Sequence, residues 1–410
     1  MHNNANPLEK RAIRRMTLRL IPFMFILYIV AYLDRVNVGF AALQMNAELQ
    51  LSHATFGLGS GIFFIGYFLF EIPSNLILHK IGARIWIARI MISWGVIASA
   101  MMFVAGPTSF YTLRFLLGFA EAGFFPGMIL YLTYWFPRKY LARNVALFMT
   151  ATALAGVVGG PVSGALLEMH GLGGLSGWQW LFLLEWLPAV LLGLAVFFYL
   201  PDRPENSAWL PEEEKAWLRG QLEQEEKEKT GYPEQGLFQT VRSGRVWVLC
   251  MVYFTLVVAM YGIAFWMPLM LKSIGGLSDF LVGVVSTFPY LAAAGFMVIV
   301  ATSSDRTGDR RLHMAGALVM ASIGFGLSVL TDSLVGSVFC LAVAAAGIWG
   351  ALGPFWAFAG SFLRGTGAAG GFALINSIGN LGGFTGPYLM GCLRDSTGSY
   401  AAGMFFLGCT

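Results

Sequence analysis

Long apolar segments separated by short polar ones dominate the chain and predict a bundle of membrane-spanning helices. A spanning helix needs about 20 mostly apolar residues. Eleven segments are long enough: 18–40, 55–78, 85–105, 109–135, 144–168, 178–200, 246–271, 279–302, 312–331, 334–358 and 368–390. A further apolar stretch begins near Tyr400 and stops at Thr410. Since about ten residues cannot cross a bilayer as a helix, either a twelfth helix is cut short, which we favour, or that helix is absent.

The longest hydrophilic stretch divides these segments into two groups of six. It covers residues 201–243 and contains two runs rich in Glu and Lys, as in an exposed charged helix. We therefore predict an all-α polytopic membrane protein. Its parts are an N-terminal six-helix bundle over 1–200, a charged cytoplasmic loop over 201–243 and a C-terminal six-helix bundle over 244–410.

Two separate motifs recur at one fixed offset, which indicates an internal repeat. The turn from His79 to Arg84 after the second segment matches the turn from Asp305 to Arg310 after the eighth. The same offset joins the glycine-rich stretch of the fifth segment to that of the eleventh. The residues concerned are Gly156, Gly160 and Pro161, and Gly382, Gly386 and Pro387. Parallel repeats are a known transporter plan, in which the binding site lies between the repeats near the midplane.

These glycines and prolines are suited to close helix packing. Glycines four residues apart let two helix backbones approach, and each proline removes a backbone donor and favours a bend. The pattern fits a gate that rocks between the two halves, and it fits static close packing equally well.

Composition places the surface of the bundle in lipid. The chain is 57% hydrophobic and 12% charged, whereas soluble chains carry about 25% charged residues. Lys and Arg concentrate on one set of connections, typified by Arg15, Lys80, Arg138 and Arg310, so the positive-inside rule puts both termini and the central loop in the cytoplasm. The net charge of +4 includes no basic stripe for nucleic acid, and the four cysteines form no metal or disulfide pattern.

Four charged residues inside apolar segments are candidates for function, because ionisable groups in the hydrocarbon core are costly. Asp34 and Arg35 lie in the first segment, and Arg114 and Glu121 lie in the fourth. A spacing of seven puts Arg114 and Glu121 on one helix face, whereas adjacent residues point about 100° apart. We expect Arg35 to serve a central cavity and Asp34 to contact a neighbouring helix. The alternative is that the four groups neutralise one another and only fix helix packing.

Other polar groups in the apolar segments carry weaker signals. Glu71 is expected to be structural, with Arg138 or Arg143 as its partner, and Glu185 is expected to be hydrated near the outer end of its helix. Side chains that could line a transport path are Tyr32, Tyr67, Trp356 and Asn376, although Asn376 could equally hydrogen-bond only another helix. Motifs of the GxxxxGKS/T, HExxH and GxSxG types are absent, so the sequence predicts neither an ATP-driven pump nor a membrane hydrolase, and neither a metal nor a cofactor.

Three stretches resemble a known transporter family. The run from Asp305 to Arg311 resembles the inner-loop signature of the major facilitator superfamily, although His79 stands where the first half should carry Asp. The runs 32–37 and 114–127 are similar to the anion:cation symporter family, whose bacterial members include tartrate, sugar-acid and hydroxyphenylacetate permeases. The resemblance implies that Asp34 and Glu121 carry coupled protons and that Arg35 meets a substrate carboxylate. It also implies cavity contacts at the positions of Tyr32, Tyr67, Trp356 and Asn376, to which we add Arg114.

These features together predict a transporter rather than an enzyme. We expect proton-coupled symport of a small organic carboxylate anion by alternating access, carried out by a monomer in the lipid bilayer of a bacterial inner membrane. Asp305, Arg306 and Gly308 are assigned to gating, together with the glycines and prolines of the repeated stretches. The alternatives are another major facilitator carrier, such as a drug exporter or a sodium-coupled carrier, and a non-transporting membrane receptor or scaffold.

Overall fold

The computed structural model describes residues 7–229, 242–363 and 366–410, so part of the predicted loop 201–243 lies outside it. The N-terminal half consists of α1 (Pro7–Glu48), α2 (His53–Ile81), α3 (Ala83–Ala100), α4 (Pro107–Glu121), α5 (Phe124–Trp135), α6 (Arg138–Met149), α7 (Ala151–Leu167) and α8 (Gly177–Tyr199). After α9 (Glu212–Lys229), the C-terminal half consists of α10 (Gly244–Gly275), α11 (Asp279–Thr307), α12 (Arg310–Ser328), α13 (Leu334–Phe362), α14 (Thr366–Asn380), α15 (Gly382–Thr397) and α16 (Ala401–Cys409).

Ten helical segments within the described ranges are long and apolar enough to cross a membrane, and they correspond to the first ten predicted segments. The eleventh prediction, 368–390, is interrupted, because α14 ends at Asn380 and α15 begins at Gly382. Glycine has a low helix propensity, and three glycines surround this break at positions 379, 382 and 383. The last apolar stretch forms α16, which is nine residues long.

The outside of the bundle is apolar. Phe198, Leu330 and Val335 are 91%, 80% and 80% exposed, while large aromatic side chains such as Trp94 and Trp266 are fully buried. Water would penalise such a surface and drive aggregation, whereas lipid tails accept it. The helices, their lengths and their exposed apolar faces therefore define a polytopic α-helical membrane protein.

The repeat offset reappears as matching contacts between the two halves. Helix α7 packs on α11, and α2 packs on α15. A Cβ added to Gly160 would lie 2.3 Å from the carbonyl oxygen of Gly283, and one added to Gly57 would lie 2.4 Å from that of Pro387. The repeat offset that leads from Gly160 to Gly386 also leads from Gly57 to Gly283, so the two helix pairs are equivalent. The halves are thus related by a pseudo-twofold axis.

Helices α1 and α10 meet on that axis. Arg35 Nη1 donates a hydrogen bond to the hydroxyl of Tyr261 at 2.9 Å, and the two residues are separated by the repeat offset. A Cβ added to Gly39 would lie 2.9 Å from the carbonyl oxygen of Phe265. Phe265 lies at the repeat offset from Gly39, and we call two residues related in this way repeat mates. Two repeat mates can touch only where the symmetry axis passes between them, so Arg35 lies at the centre of the molecule.

One end of the bundle, which we call the acidic face, joins the halves by carboxylates at helix ends. It is defined by Glu48, Glu168, Asp279 and Asp395. Asp395 Oδ2 accepts a hydrogen bond from the backbone N–H of Ala54 at 2.7 Å, and Glu168 Oε1 accepts one from that of Phe280 at 3.2 Å. Asp395 and Glu168 therefore each cap the first turn of a helix in the other half, where the helix dipole favours negative charge.

The opposite end, which we call the basic face, carries the two signature turns. Gly308 and Gly82 end α11 and α2 with φ of +73° and +100°, a conformation that only glycine adopts readily. Asp305 pairs with Arg310 at 2.5 Å, and Arg306 is exposed. In the first half, Arg84 Nε instead lies 3.5 Å from Asp202 Oδ2. The pair of Asp305 and Arg310 lies within the C-terminal half, whereas Asp202 belongs to the segment that follows α8.

Candidate substrate and proton site

A break in the fourth segment positions Glu121. Helix α4 ends at this residue, and Gly123 follows with φ of +84° before α5 begins. A Cβ on Gly123 would lie 2.3 Å from Ser74 Oγ, so α2 passes close to the break. Glu121 is fully buried at 0% exposure. The segment predicted as one continuous helix is therefore a broken one, and the break lies next to its central acidic group.

Arg35 is the hub of the buried charges. Its Nη2 forms an ion pair with Glu121 Oε1, and its Nη1 donates to Tyr261. The guanidinium carbon lies 5.3 Å and 5.5 Å from the ring centres of Phe63 and Tyr67, within the range of cation–π attraction. The side chain thus has one carboxylate, one phenol and two aromatic faces around a single delocalised cation.

The ion pair retains unused hydrogen-bonding capacity. Arg35 Nε and Glu121 Oε2 are buried and have no partner in the part of the chain that the structure describes. The hydroxyl of Tyr32 and the indole nitrogen of Trp356 are unpaired in the same described ranges. Buried polar groups without partners are costly, so each of these atoms would be stabilised by a further polar molecule or a proton.

Asp34 faces a different neighbour from Arg35. Its Oδ2 accepts a hydrogen bond from Trp94 Nε1 of α3, and its Oδ1 lies 3.5 Å from Asn37 Nδ2. The divergence of the two adjacent charges follows from the helical geometry, since successive residues point about 100° apart. Asp34 is 4% exposed and Arg35 is 7% exposed, so the charges of both lie inside the bundle.

Arg114 is held by backbone rather than by a carboxylate. Its Nη2 donates to the carbonyl of Ser60 at 3.1 Å and its Nε to that of Gly59 at 3.4 Å, while its guanidinium lies over Phe63. It shares a buried helix face with Glu121. These contacts hold α4 against α2, and the substrate contact expected of Arg114 stays a prediction.

Glu71 joins the two halves, and its partners are not the expected Arg138. Its Oε1 accepts a hydrogen bond from Asn376 Nδ2 at 2.6 Å, and its Oε2 accepts one from Ser377 Oγ at 2.9 Å. The expected partner Arg138 lies at the basic face, where its backbone N–H donates to Glu225; the side chain of Arg143 is outside the described residues. Asn376 therefore contacts a carboxylate of the opposite half in this conformation.

Glu185 is buried, which corrects the expectation that it is hydrated. It is 8% exposed and accepts hydrogen bonds from Asn37 Nδ2 at 2.7 Å and Ser163 Oγ at 2.9 Å. The sequence signal was a carboxylate within the apolar helix Gly177–Tyr199.

Tyr261 was also missed, although the repeat offset from Arg35 leads directly to it. Within the described ranges, no group of three His, Cys, Asp or Glu side chains could hold a metal.

The fold and this buried site define a membrane carrier built from two repeats around a central charged site. Residues 24–387 match the model of the Major Facilitator Superfamily, and the chain belongs to that family. A relative from Agrobacterium vitis, described as a proposed tartrate transporter, is 50% identical over 98% of this chain and 92% of its own length. A quinolone resistance transporter from Acinetobacter baumannii is 44% identical over 97% and 92%. The crystal structure of a D-xylose-proton symporter, 15% identical, covers 96% of both chains with a TM-score of 0.73. The protein is thus a transporter of this family and not an enzyme.

Proposed function

We propose that this transporter is a proton-coupled symporter for a small organic carboxylate anion. The observation that carries the proposal is the ion pair between Arg35 and Glu121 at the centre of the molecule. A guanidinium is suited to carboxylate recognition because its planar donors match two oxygens at once. In this conformation the protein's own carboxylate occupies that position.

Exchange of carboxylates on Arg35 would couple the proton to the substrate. Removing one partner from a buried ion pair costs about 3–5 kcal/mol, because a bare charge is left behind. If Glu121 takes up a proton, Arg35 loses its counter-charge and attracts the carboxylate of the substrate instead. When the substrate leaves, Glu121 loses its proton and restores the pair. Glu121 therefore competes with the anion for one cation.

A second proton is required for electrical reasons. Moving one charge across the membrane potential changes the free energy by about 2.3 kcal/mol per 100 mV. A monoanion that enters with one proton gains nothing from the potential, whereas two or more protons make its uptake favourable. Asp34 is the second proton site that we propose, since it is buried and its nearest partners are the neutral side chains Trp94 and Asn37.

Alternating access would act through the contacts that join the halves. The carboxylate caps close the acidic face, and Glu71 joins the halves one helical turn beyond Tyr67 toward the basic face. We propose that the acidic face is outside and that both termini lie in the cytoplasm of a bacterial cell, in line with the positive-inside rule. The close Gly160–Gly283 and Gly57–Pro387 contacts are the pivots on which the halves rock, and the carrier acts as a monomer.

The test uses purified protein in proteoliposomes. Tartrate is the first probe because of the relative from Agrobacterium vitis, followed by sugar acids and aromatic acids. A specific anion should raise the melting temperature by mass action. Addition of that anion outside the vesicles should then raise the external pH as protons enter with it. Strict dependence on sodium, or binding without any proton movement, would rule out the proposal.

Drug export is a second candidate, favoured by the description of the relative from Acinetobacter baumannii. The same vesicles distinguish the two functions. An exporter would move a quinolone against its gradient in exchange for protons and would ignore small carboxylates. Arg35→Lys is the informative variant, because it keeps the charge and loses the planar donor fork. It should weaken carboxylate binding strongly and have less effect on a drug that is held by aromatic contacts.

A further inference from the structure

A second cluster of buried carboxyl groups lies in the N-terminal half, on the acidic-face side of Arg35. Asn37 is one turn along α1 from Asp34, and its Nδ2 lies 3.5 Å from Asp34 Oδ1 and 2.7 Å from Glu185 Oε2. Ser163 of α7 donates to the other oxygen of Glu185 at 2.9 Å. A single amide thus bridges two carboxyl groups, from α1 and α8, that are 4% and 8% exposed.

Glu185 has no counter-charge in the described residues. Helix α8 packs against α1, α3 and α7. From these helices, Asp34 is the acidic group that shares Asn37 with it, Ser163 and Trp94 contribute neutral donors to the cluster, and the arginines of α3 lie at the basic-face end of that helix. Arg35 is paired with Glu121, and Arg114 is held by backbone carbonyls. Two ionised carboxylates around one amide would be costly inside the bilayer, and such groups are neutralised by a proton instead.

The remaining atom of the bridge points to the same conclusion. Asn37 Oδ1 is buried and has no hydrogen-bond partner in the described ranges. A carboxyl group can donate to that oxygen only when it is protonated. If the amide flips so that its oxygen and nitrogen exchange places, Oδ1 comes to lie beside both carboxyl groups, and a protonated Asp34 or Glu185 donates to it. In the observed orientation Nδ2 lies 2.7 Å from Glu185 and 3.5 Å from Asp34, so the negative charge belongs on Glu185 and the proton on Asp34.

We propose that Asp34 and Glu185 form a paired acid site that holds one proton, bridged by Asn37. The proton leaves an oxygen of one carboxyl group and joins an oxygen of the other, so that charge and atoms balance, and the Asn37 amide lies beside both groups in either state. Glu185 lies eight residues from the acidic-face end of α8, so it is the member of the pair closer to that face. The use of this proton in transport rests on the proposed function, but its presence does not.

Infrared spectroscopy tests the pair without substrate. A difference spectrum of the purified protein between alkaline and acidic pH shows the C=O stretch of each carboxyl group that gains a proton. Glu185→Gln should remove or shift one such band relative to the wild type, and Asp34→Asn should alter the same band. Glu212→Gln is the matched control, because its side chain is 88% exposed and lies in α9, outside the spans. A Glu185→Gln spectrum identical to that of the wild type would overturn the proposal.

A second variant keeps both acids in case Glu185→Gln does not fold. Two coupled acids release their protons in two macroscopic steps that belong to the pair. Asn37→Ala removes the bridge, so the pH values of these steps should change relative to the wild type. Steps at the same pH in Asn37→Ala and the wild type would contradict the pairing as directly.

Transport measurements separate this inference from the proposed function. If the pair supplies one coupled proton, Glu185→Gln should lower the anion accumulation ratio about tenfold for each pH unit of imposed gradient, since one pH unit corresponds to a tenfold concentration ratio per proton. Absence of proton-driven accumulation in the wild type would reject the proposed function and leave the infrared result standing. Wild-type accumulation that Glu185→Gln leaves unchanged, with an unchanged spectrum, would reject the paired site alone.

Discussion

The two halves of this transporter share a fold and differ in chemistry. The described part of the N-terminal half buries Asp34, Arg35, Glu71, Arg114, Glu121 and Glu185, whereas no acidic or basic side chain is buried in the described C-terminal half. The repeat mates of Asp34, Arg35, Arg114 and Glu121 are Met260, Tyr261, Cys340 and Gly347.

The difference teaches which features a repeated membrane fold needs twice. Close helix contacts recur in both halves, because each half must pack on the other through glycine. Buried charges are expensive in lipid, and one set around the axis is enough to serve a central site. The C-terminal half contributes neutral groups to that set, including Tyr261, which contacts Arg35, and Asn376, which contacts Glu71.

The substitution expected to disturb this asymmetry most is Glu121→Gln. It removes the carboxylate that can carry a proton beside Arg35 and retains the shape of the side chain. We expect proton-driven accumulation of the anion to be lost, while exchange of labelled for unlabelled substrate across the membrane continues. Both are measured in the same proteoliposomes, with the exposed loop variant Glu212→Gln as control. Equal accumulation by Glu121→Gln and wild type would remove Glu121 from the coupling mechanism.

The next largest effect concerns packing between the halves. Gly160→Ala puts a Cβ 2.3 Å from the carbonyl of Gly283 in the other half, while Gly386→Ala puts one 2.4 Å from that of Val258 in the same half. Overpacking costs about 1–3 kcal/mol in each case. We expect both variants to melt at lower temperature, and only Gly160→Ala to shift the balance of the two access states.

The balance of the two access states is measured by the rate at which a thiol reagent labels a cysteine introduced at the acidic face. Labelling should become faster in Gly160→Ala, because the added Cβ pushes α7 from α11, and should remain unchanged in Gly386→Ala. Equal labelling of the two variants would mean that the glycines of the two repeats have the same role.

A comparable loss of stability, without a shift in access, is expected from Tyr261→Phe, which removes the hydrogen bond between Arg35 and its repeat mate. Hydrogen bonds to charged groups contribute about 1.5–3 kcal/mol. We expect a lower melting temperature, with the change in unfolding free energy in that range. Tyr290→Phe is the control, since it removes the hydroxyl of another buried tyrosine in the C-terminal half. If both variants lose the same free energy of unfolding, the hydrogen bond on the axis contributes no more to stability than the hydroxyl of Tyr290.

The smallest effect concerns pH at the acidic face. Partial burial raises the pKa of Asp395, but hydrogen bonds from the backbone N–H of Ala54 and from the side chain and N–H of His53 lower it by more. The pKa of Asp395 therefore lies below its usual value. A carboxyl group with a lowered pKa stabilises the closed face when ionised, and this stabilisation is lost as the pH falls through the lowered value. The cysteine introduced at the acidic face should therefore be labelled faster in Asp395→Asn than in the wild type at neutral pH, by at most severalfold.

The corresponding cap in the other pair of helices provides the comparison for Asp395. Glu168→Gln removes the charge at Phe280, the repeat mate of Ala54, and should have a similar or smaller effect on labelling. A partly exposed charge interaction contributes about 0–1 kcal/mol, so a large loss of closure in either variant would contradict the assignment of these caps.

The positions of the spans, the repeat and the four central charges of the first and fourth segments are properties of the sequence alone. Hydrophobicity summed over about 20 residues is a local quantity, and it identifies a spanning helix wherever its partners lie. A fixed offset between motifs likewise needs no coordinates, and it predicted the equivalence of Gly160 with Gly386 and of Pro161 with Pro387.

Only the tertiary structure decided which buried groups are partners. Glu71 and Asn376 are 305 residues apart, and Asn37 and Glu185 are 148 apart, so no periodicity along the chain relates them. A buried carboxylate takes whichever donor the packed helices bring within about 3 Å. That choice is made by the crossing of helices from distant parts of the chain, which is why Glu71 joins the two halves and Glu185 shares an amide with Asp34.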